Sequence, residues 1–351
     1  LKRGTENFMV IEHFYDQGLA HGSYAIMEDS KIILVDPARD PQPYFDYAQS
    51  NAATIVGVIE THPHADFISS HAEIRRRTGA TIYVSKLVDA EYEHTSFDEG
   101  DVIELGAVQL RAINTPGHSP DSIYILVVER SGKETAIFTG DTLFVGDVGR
   151  PDLRENVGNL KAKKEELARA MYHSTRQKLM TLPPHVTVYP AHGPGSLCGK
   201  SMSSDLTSTI GKELRENYAF QPIDESAFVK ALTADQPFVP KYFEFDVQLN
   251  KKGAPDYETS VAAVPRLSND TPLEQGITII DTRPHEEFKK GHLLGAINLQ
   301  DGGKFETWRG AIVSPGESFY LIAETEETLD KLIRKTAKIG YEAFIKGALL
   351  T

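Results

Sequence analysis

The sequence predicts a two-domain α/β protein, and three observations carry that expectation. Short β-branched runs alternate with helical stretches along the chain. At 351 residues the chain is longer than one core ordinarily needs. Its texture also changes once, between about Thr233 and Ser268, before a second α/β pattern begins.

In the first part, KIILVDP, ATIVGVIETH, ATIYVS, VQLRAINTPGH and TAIFTGD each read as an apolar strand ending in polar residues. NLKAKKEELARAMYHSTRQKLM reads as a helix, with Leu160, Leu167, Ala170 and Met171 on one face and lysines and glutamates opposite. Pro183 and Pro184 lead into a further strand, VTVYPAHG, and DLTSTIGKELRENYAF gives a second helix. From Thr233 to Ser268, proline, asparagine, aspartate and glycine recur around NKKGAPDYE, which reads as a linker. The first domain is accordingly placed at 1–250 and the second at 251–351. The second opens with a strand, helix and strand in ITIIDTRPHEEFKKGHLLGAINL. A strand in SFYLIAE, a helix in TLDKLIRKTAKIG that stops at Gly340, and a last short strand in EAFIKGAL complete it.

Composition narrows the function classes. Forty per cent apolar residues with ordinary charge content describe a folded globular chain. The formal charge of −13 is spread without a basic block, which argues against nucleic acid or an anionic membrane as partner. No apolar run approaches the length of a membrane span, and LKRGTENFMV holds no apolar core of signal type. Cys198 is the single cysteine, so no intrachain disulfide can form and a reduced, cytoplasmic setting is expected.

The strand ends collect the residues that carry chemistry. His62, His64 and Asp66 lie in THPHADF, His118 in TPGHSPDS, Asp141 in FTGDTLFVGD and His192 in YPAHGPGS. Imidazole and carboxylate together suit first-row divalent metals. A lone histidine after a strand is usually a satisfied polar residue, and His13, His71, His94, His173 and His185 take that reading. The four motifs in this order, each after an apolar strand, make a far stronger signal than any one of them.

These motifs resemble the metallo-β-lactamase superfamily from about Phe8 to Phe220, which implies an αβ/βα sandwich with the site at one edge. In dinuclear members the resemblance places His62, His64 and His118 at one metal site. Asp66, residue 67 and His192 fall at the other, and Asp141 is shared. Phe67 stands where the second ion needs a ligand, so the resemblance implies that the second site is empty. The run GDTLFVGDVGRPDL resembles the persulfide dioxygenase branch, in which His62, His118 and Asp141 match the ligands of a single Fe(II). Two histidines and one carboxylate form the ligand set of non-haem iron oxygenases. His64, Asp66 and His192 then become catalytic residues beside the iron, and Phe67 keeps the substrate pocket apolar. Phe67 is not diagnostic of that branch; its use is to remove the dinuclear hydrolase option.

The implied reaction takes a low-molecular-weight persulfide such as glutathione persulfide, with O2 and water, to the thiol and sulfite. Arg150, in GRPD, is a candidate partner for a carboxylate of the thiol carrier, and an ion pair with Asp152 is the structural alternative. Cys198, in GSLCGK, is a candidate to meet the persulfide, although a lone cysteine is more often a small buried hydrophobe.

The second part resembles the start of a rhodanese domain at Asp281, Arg283, Glu287, Gly291, His292, Gly295, Ala296 and Asn298. A working rhodanese needs a thiolate after the next strand, where Ala323 and Glu324 stand here, with Glu326 and Glu327 following. This domain is expected to carry no sulfur and to serve docking, dimer formation or shaping of the first domain's pocket. The whole chain thus resembles a persulfide dioxygenase–rhodanese fusion, which implies a homo-oligomer. Two other functions stay open: a thioester hydrolase of glyoxalase II type, and a non-catalytic sulfur-binding scaffold, against which the intact His62, His118 and Asp141 set argues.

Overall fold

The structure, a computed structural model of the chain, describes residues 9–154 and 163–351. Two six-stranded sheets face each other across the first domain. One runs Val10–Asp16, His21–Glu28, Lys31–Val35, Thr54–Ile59, Thr81–Val84, Thr95–Ser96, antiparallel at first and parallel from Lys31–Val35 onward. The other runs Ser208–Thr209, Thr187–Pro190, Glu134–Gly140, Ile123–Glu129, Val108–Asn114, Val102–Leu105. Parallel neighbours need crossover connections, and helices Gln42–Ser50 and His71–Thr78 lie in them.

The strand period of two decides which side chains meet. Tyr24, Ile26, Ile33 and Ile59 face Leu110, Ile125, Val127 and Phe138 between the sheets. Their neighbours Ala25, Ile32, Leu34 and Val58 turn outward onto Tyr44, Ala48 and Ile74 of the two helices. On the far side, Leu126, Val128, Ile137 and Val188 pack against Ala168 and Met171 of helix Lys164–Ser174. The central strands are therefore buried on both faces, which explains their nearly unbroken apolar runs. The result is the expected αβ/βα sandwich.

Three sequence expectations change. Helix Lys164–Ser174 buries Ala168 rather than Ala170 and gives way to a π-helical turn, Thr175–Leu179; Leu160 lies outside the described residues. The second helix shortens to Ile210–Glu216, capped by the Thr209 side chain. The stretch read as a linker holds two helices, Phe243–Lys252 and Tyr257–Ala262, both packed into the molecule. Its composition misled because helix Phe243–Lys252 buries polar residues, Asp246, Asn250 and Lys251, among its apolar ones.

The second domain holds a four-stranded parallel sheet in the order Ala296–Asn298, Thr278–Asp281, Phe319–Ala323, Ile345–Leu350. It packs directly on the first. Ile339 and Tyr341 share one apolar cluster with Phe67, Phe144, Cys198, Tyr242 and Val247. The Ile68 N–H donates to the Lys338 carbonyl at 2.8 Å, and Arg39 pairs with Glu342 in a buried contact at 3.2 Å. Among the described residues no helix is long and apolar enough to cross a membrane.

Candidate metal centre

The first sheet ends in the loop that carries His62, His64, Asp66 and Phe67, and the second sheet delivers His118, Asp141 and His192 from its own strand ends. All seven side chains are buried. His62, His118 and Asp141 offer one ligand atom each within 4.8 Å of one another. His62 Nε2 lies 3.9 Å and His118 Nε2 3.6 Å from the same Asp141 Oδ2.

The far nitrogen of each ring is fixed by its neighbours. His118 Nδ1 lies 2.9 Å from the Arg150 carbonyl, which can only accept, so Nδ1 carries the proton and Nε2 presents a lone pair. Thr61 Oγ1 donates to Asp36 Oδ2 at 2.8 Å and so accepts from His62 Nδ1 at 3.1 Å. His192 Nδ1 likewise faces the Ala20 carbonyl at 3.2 Å. Backbone geometry supports the same arrangement. A Cβ at Gly149 would lie 1.8 Å from the Asp141 carbonyl oxygen and 3.0 Å from His118 Nδ1, so the GRPD loop can lie this close only with glycine.

His192 Nε2 sits 3.4 Å from both Asp66 Oδ2 and Asp141 Oδ1. Burial disfavours its charged form, but Asp141 and Asp66 outweigh burial and carry its pKa up to about 9. Burial also opposes charge on His64, and Asp36, with Oδ1 at 3.3 Å, overrides it and raises the pKa. Among the described residues neither carboxylate oxygen of Asp141 accepts a hydrogen bond, although both are buried. Buried carboxylate oxygens without a hydrogen-bond donor are costly, so convergent imidazoles and carboxylates of this kind fit a divalent cation.

Phe67 is 1% exposed and stacks on His21, with ring centroids 3.7 Å apart and planes at 28°; the His64 ring lies 4.4 Å away. Cys198 is buried, and its Sγ forms a further group with Asp66 and His192 within 4.8 Å. Burial, then Asp66 and Asp141, push its thiol pKa well up.

Arg150 makes the ion pair with Asp152 that was its structural alternative. It is 1% exposed and forks onto Asp152 at 2.8 and 2.6 Å. Its remaining donors go to the carbonyls of Leu197, Phe238 and Pro237. A guanidinium has five N–H donors, and these contacts occupy the fork that a carboxylate would need. The histidines set aside as structural behave so: His13 stacks on Tyr24, His94 meets the Tyr92 carbonyl and His185 the Glu134 carbonyl. His173 pairs with Glu225, and His71 faces Glu60 at 3.5 Å.

Sequence reasoning passed over three supports of the site. His21 faces Phe67, and its strand meets His192 in an isolated bridge. Asp36 ends the strand KIILVDP at φ 48°, a left-handed conformation that aspartate tolerates, and accepts from Thr61 N at 2.7 Å. Asn250 donates to the carbonyls of His64 and Phe67 at 2.9 and 2.8 Å and accepts from Ser69 N at 2.9 Å. The polar end of KIILVDP was the available signal for Asp36; nothing local marked the other two.

In the second domain the strand end at Ala323 is fully buried, and Glu324, Glu326 and Glu327 are exposed. Arg283 is held by Asp281 at 2.6 Å. The loop after this strand thus follows a buried methyl group with exposed carboxylates and holds no cysteine.

The metallo-beta-lactamase superfamily profile matches residues 18–192, and the rhodanese-like domain profile residues 265–345. A crystal structure of a metallo-beta-lactamase from Staphylococcus aureus subsp. aureus COL is 30% identical, with a TM-score of 0.87 over 98% of this chain and 99% of that one. A probable metallo-hydrolase of Burkholderia pseudomallei is 27% identical over 64% of this chain and 86% of its own length. The mitochondrial persulfide dioxygenase ETHE1 of Homo sapiens is 28% identical over 47% of this chain, which spans 60% of that protein. Profile, whole-chain structural likeness and the histidine–aspartate site agree: the chain belongs to the metallo-β-lactamase superfamily and carries a rhodanese-like domain after its metal-binding domain.

Proposed function

We propose that the first domain is a mononuclear Fe(II) persulfide dioxygenase. One low-molecular-weight thiol persulfide, one O2 and one water become one free thiol and one sulfite. The observation that carries this reading is the convergence of His62, His118 and Asp141 beside Phe67. A buried phenyl ring stands where a second ion would need a donor, while His62, His118 and Asp141 converge as two imidazoles and one carboxylate. The likeness to human persulfide dioxygenase and the GDTLFVGDVGRPDL run point the same way.

Iron held by His62, His118 and Asp141 would supply the redox and O2 chemistry. The chain's other residues prepare the surroundings. Thr61 and the Arg150 carbonyl fix the tautomers of His62 and His118. Phe67, against His21, excludes water from the side of the pocket where a hydrolase would activate it. His192, with its proton at Nε2 between Asp66 and Asp141, is placed to return a proton to the departing thiolate. Asp36 holds His64 in a charged pair beside the same pocket.

The hydrolase reading retains one specific observation. Asp66, His192 and Cys198 lie close enough to hold a second cation without residue 67. The assay that separates the two follows O2 uptake with glutathione persulfide alongside hydrolysis of S-lactoylglutathione. Stoichiometric sulfite and O2 consumption with negligible thioester hydrolysis is expected. Rapid thioester hydrolysis without O2 uptake would sink the dioxygenase reading.

A further inference from the structure

Residues of both domains meet beside Asp66. A constriction of about 10 Å³ reaches Asp66 between Ser196, Tyr242 and Phe243 on one side and Lys304 and Thr307 of the second domain on the other. That is room for about one water molecule. It adjoins a cleft of 540 Å³ along the domain seam: Gly18 and Gly303 line the cleft, and the next residues, Leu19 and Lys304, line the constriction. A cleft of that volume falls within the roughly 300–1,000 Å³ of small-molecule sites.

The charges here are unlike those of the chain as a whole, which carries −13. Lys331, Lys335 and Lys338 line the cleft, but carboxylates engage them. Lys331 and Lys335 share Asp301, and Lys338 lies between Asp16 and Glu306. Lys304 differs. It is exposed, its Nζ donates to the Gly195 carbonyl, and no carboxylate among the described residues pairs with it. An ammonium has three donors and one is used here, so two remain available to a ligand. Lys304 is also the one cation among the residues lining the constriction, and Arg150 is already committed to Asp152.

We infer that the second domain supplies the anion anchor of the substrate site: Lys304, on the same small void as Asp66, Tyr242 and Phe243, binds the negative group of the thiol carrier. The inference rests on the persulfide reading for the identity of the substrate. It names a specificity residue for that substrate and gives the rhodanese-like domain a part in recognition that needs no cysteine. The ligand class is a small anionic thiol, whose charge could be the carboxylates of glutathione or the phosphates of coenzyme A.

The test is calorimetric titration of the full-length, iron-loaded protein with glutathione and with coenzyme A, and with cationic cysteamine as control. Lys304→Glu should weaken the anionic thiol that fits the seam by about tenfold, and Lys304→Ala by up to about fivefold. Lys304→Arg should restore it, and cysteamine affinity should not fall in any variant. In turnover, Lys304→Glu should raise KM for the matching persulfide with kcat within twofold. Wild-type binding of neither anionic thiol would overturn the assignment, as would affinities in Lys304→Glu within twofold of wild type. An equal loss of cysteamine would show that Lys304 only holds the loop, and would overturn it too. Binding does not require turnover, so a Lys304-dependent affinity without O2 uptake would sink the dioxygenase reading and leave this one standing.

Discussion

Two strand ends in this molecule invite comparison. After strand Thr54–Ile59 the chain buries His62, His64 and Asp66, fixes the two rings with Thr61 and Asp36, and holds the backbone with Asn250. After strand Phe319–Ala323 it presents Glu324, Glu326 and Glu327 to solvent. Both are loops above parallel strands, the usual place for a site in an α/β fold. A helix N-terminus such as that of Glu326–Ala337 would ordinarily help to hold a substrate anion. Here Glu326 and Glu327 fill its first turn, and Thr325 caps it through the Thr328 N–H. The second loop has therefore spent its electrostatics on its own helix, whereas the first has concentrated carboxylate and imidazole in a buried pocket. Position in the fold offers a site; the charge left unsatisfied there makes one.

The comparison can be broken or sharpened by substitution. Asp141→Ala removes the carboxylate that both His62 and His118 face. Even outer partners of a metal site are worth about 10–100-fold, so loss of this one should cut iron retention and sulfite production by more than about a hundredfold. Retained iron, measured by metal analysis, would place the ligands elsewhere. Phe67→His is the next largest change. It offers the donor that residue 67 lacks and should raise metal content toward two ions per chain while lowering O2 uptake. Unchanged metal content would show that Phe67 is not what limits the site.

A smaller effect is expected behind the loop. Asn250→Ala removes three hydrogen bonds that hold the His64–Ser69 segment. At about 0.5–1.5 kcal/mol each, the loss should be about 2–4 kcal/mol, seen as a lower thermal midpoint and weaker iron retention. The smallest effect belongs to the second strand end. Glu324→Gln should leave sulfite production within about twofold, since Glu324 is exposed and lies in a loop without a nucleophile. A large loss in that assay would give the second loop a chemical role that its charges argue against.

Much of the first domain was legible in the sequence because its signals are local. Apolar runs marked the strands, and His62, His118 and Asp141 each follow one closely. Contacts made by distant segments were not legible. Asn250 reaches His64 across 186 positions, and its helix hid behind buried polar residues and turn-like composition. Arg150 shows the same limit from the other side: the GRPD motif gave its position, but only the fold shows its donors taken up by Asp152 and three carbonyls. His21 and Lys304 became visible as parts of the site only once the strands and domains were packed together.

The central claim is that one ion, not two, occupies the pocket beside Phe67. Metal analysis of anaerobically purified wild-type protein tests it most directly, with Cys198→Ser measured in parallel. The account predicts one iron per chain in both proteins. Two ions per wild-type chain, falling to one in Cys198→Ser, would contradict it by showing that Asp66, His192 and Cys198 hold the second.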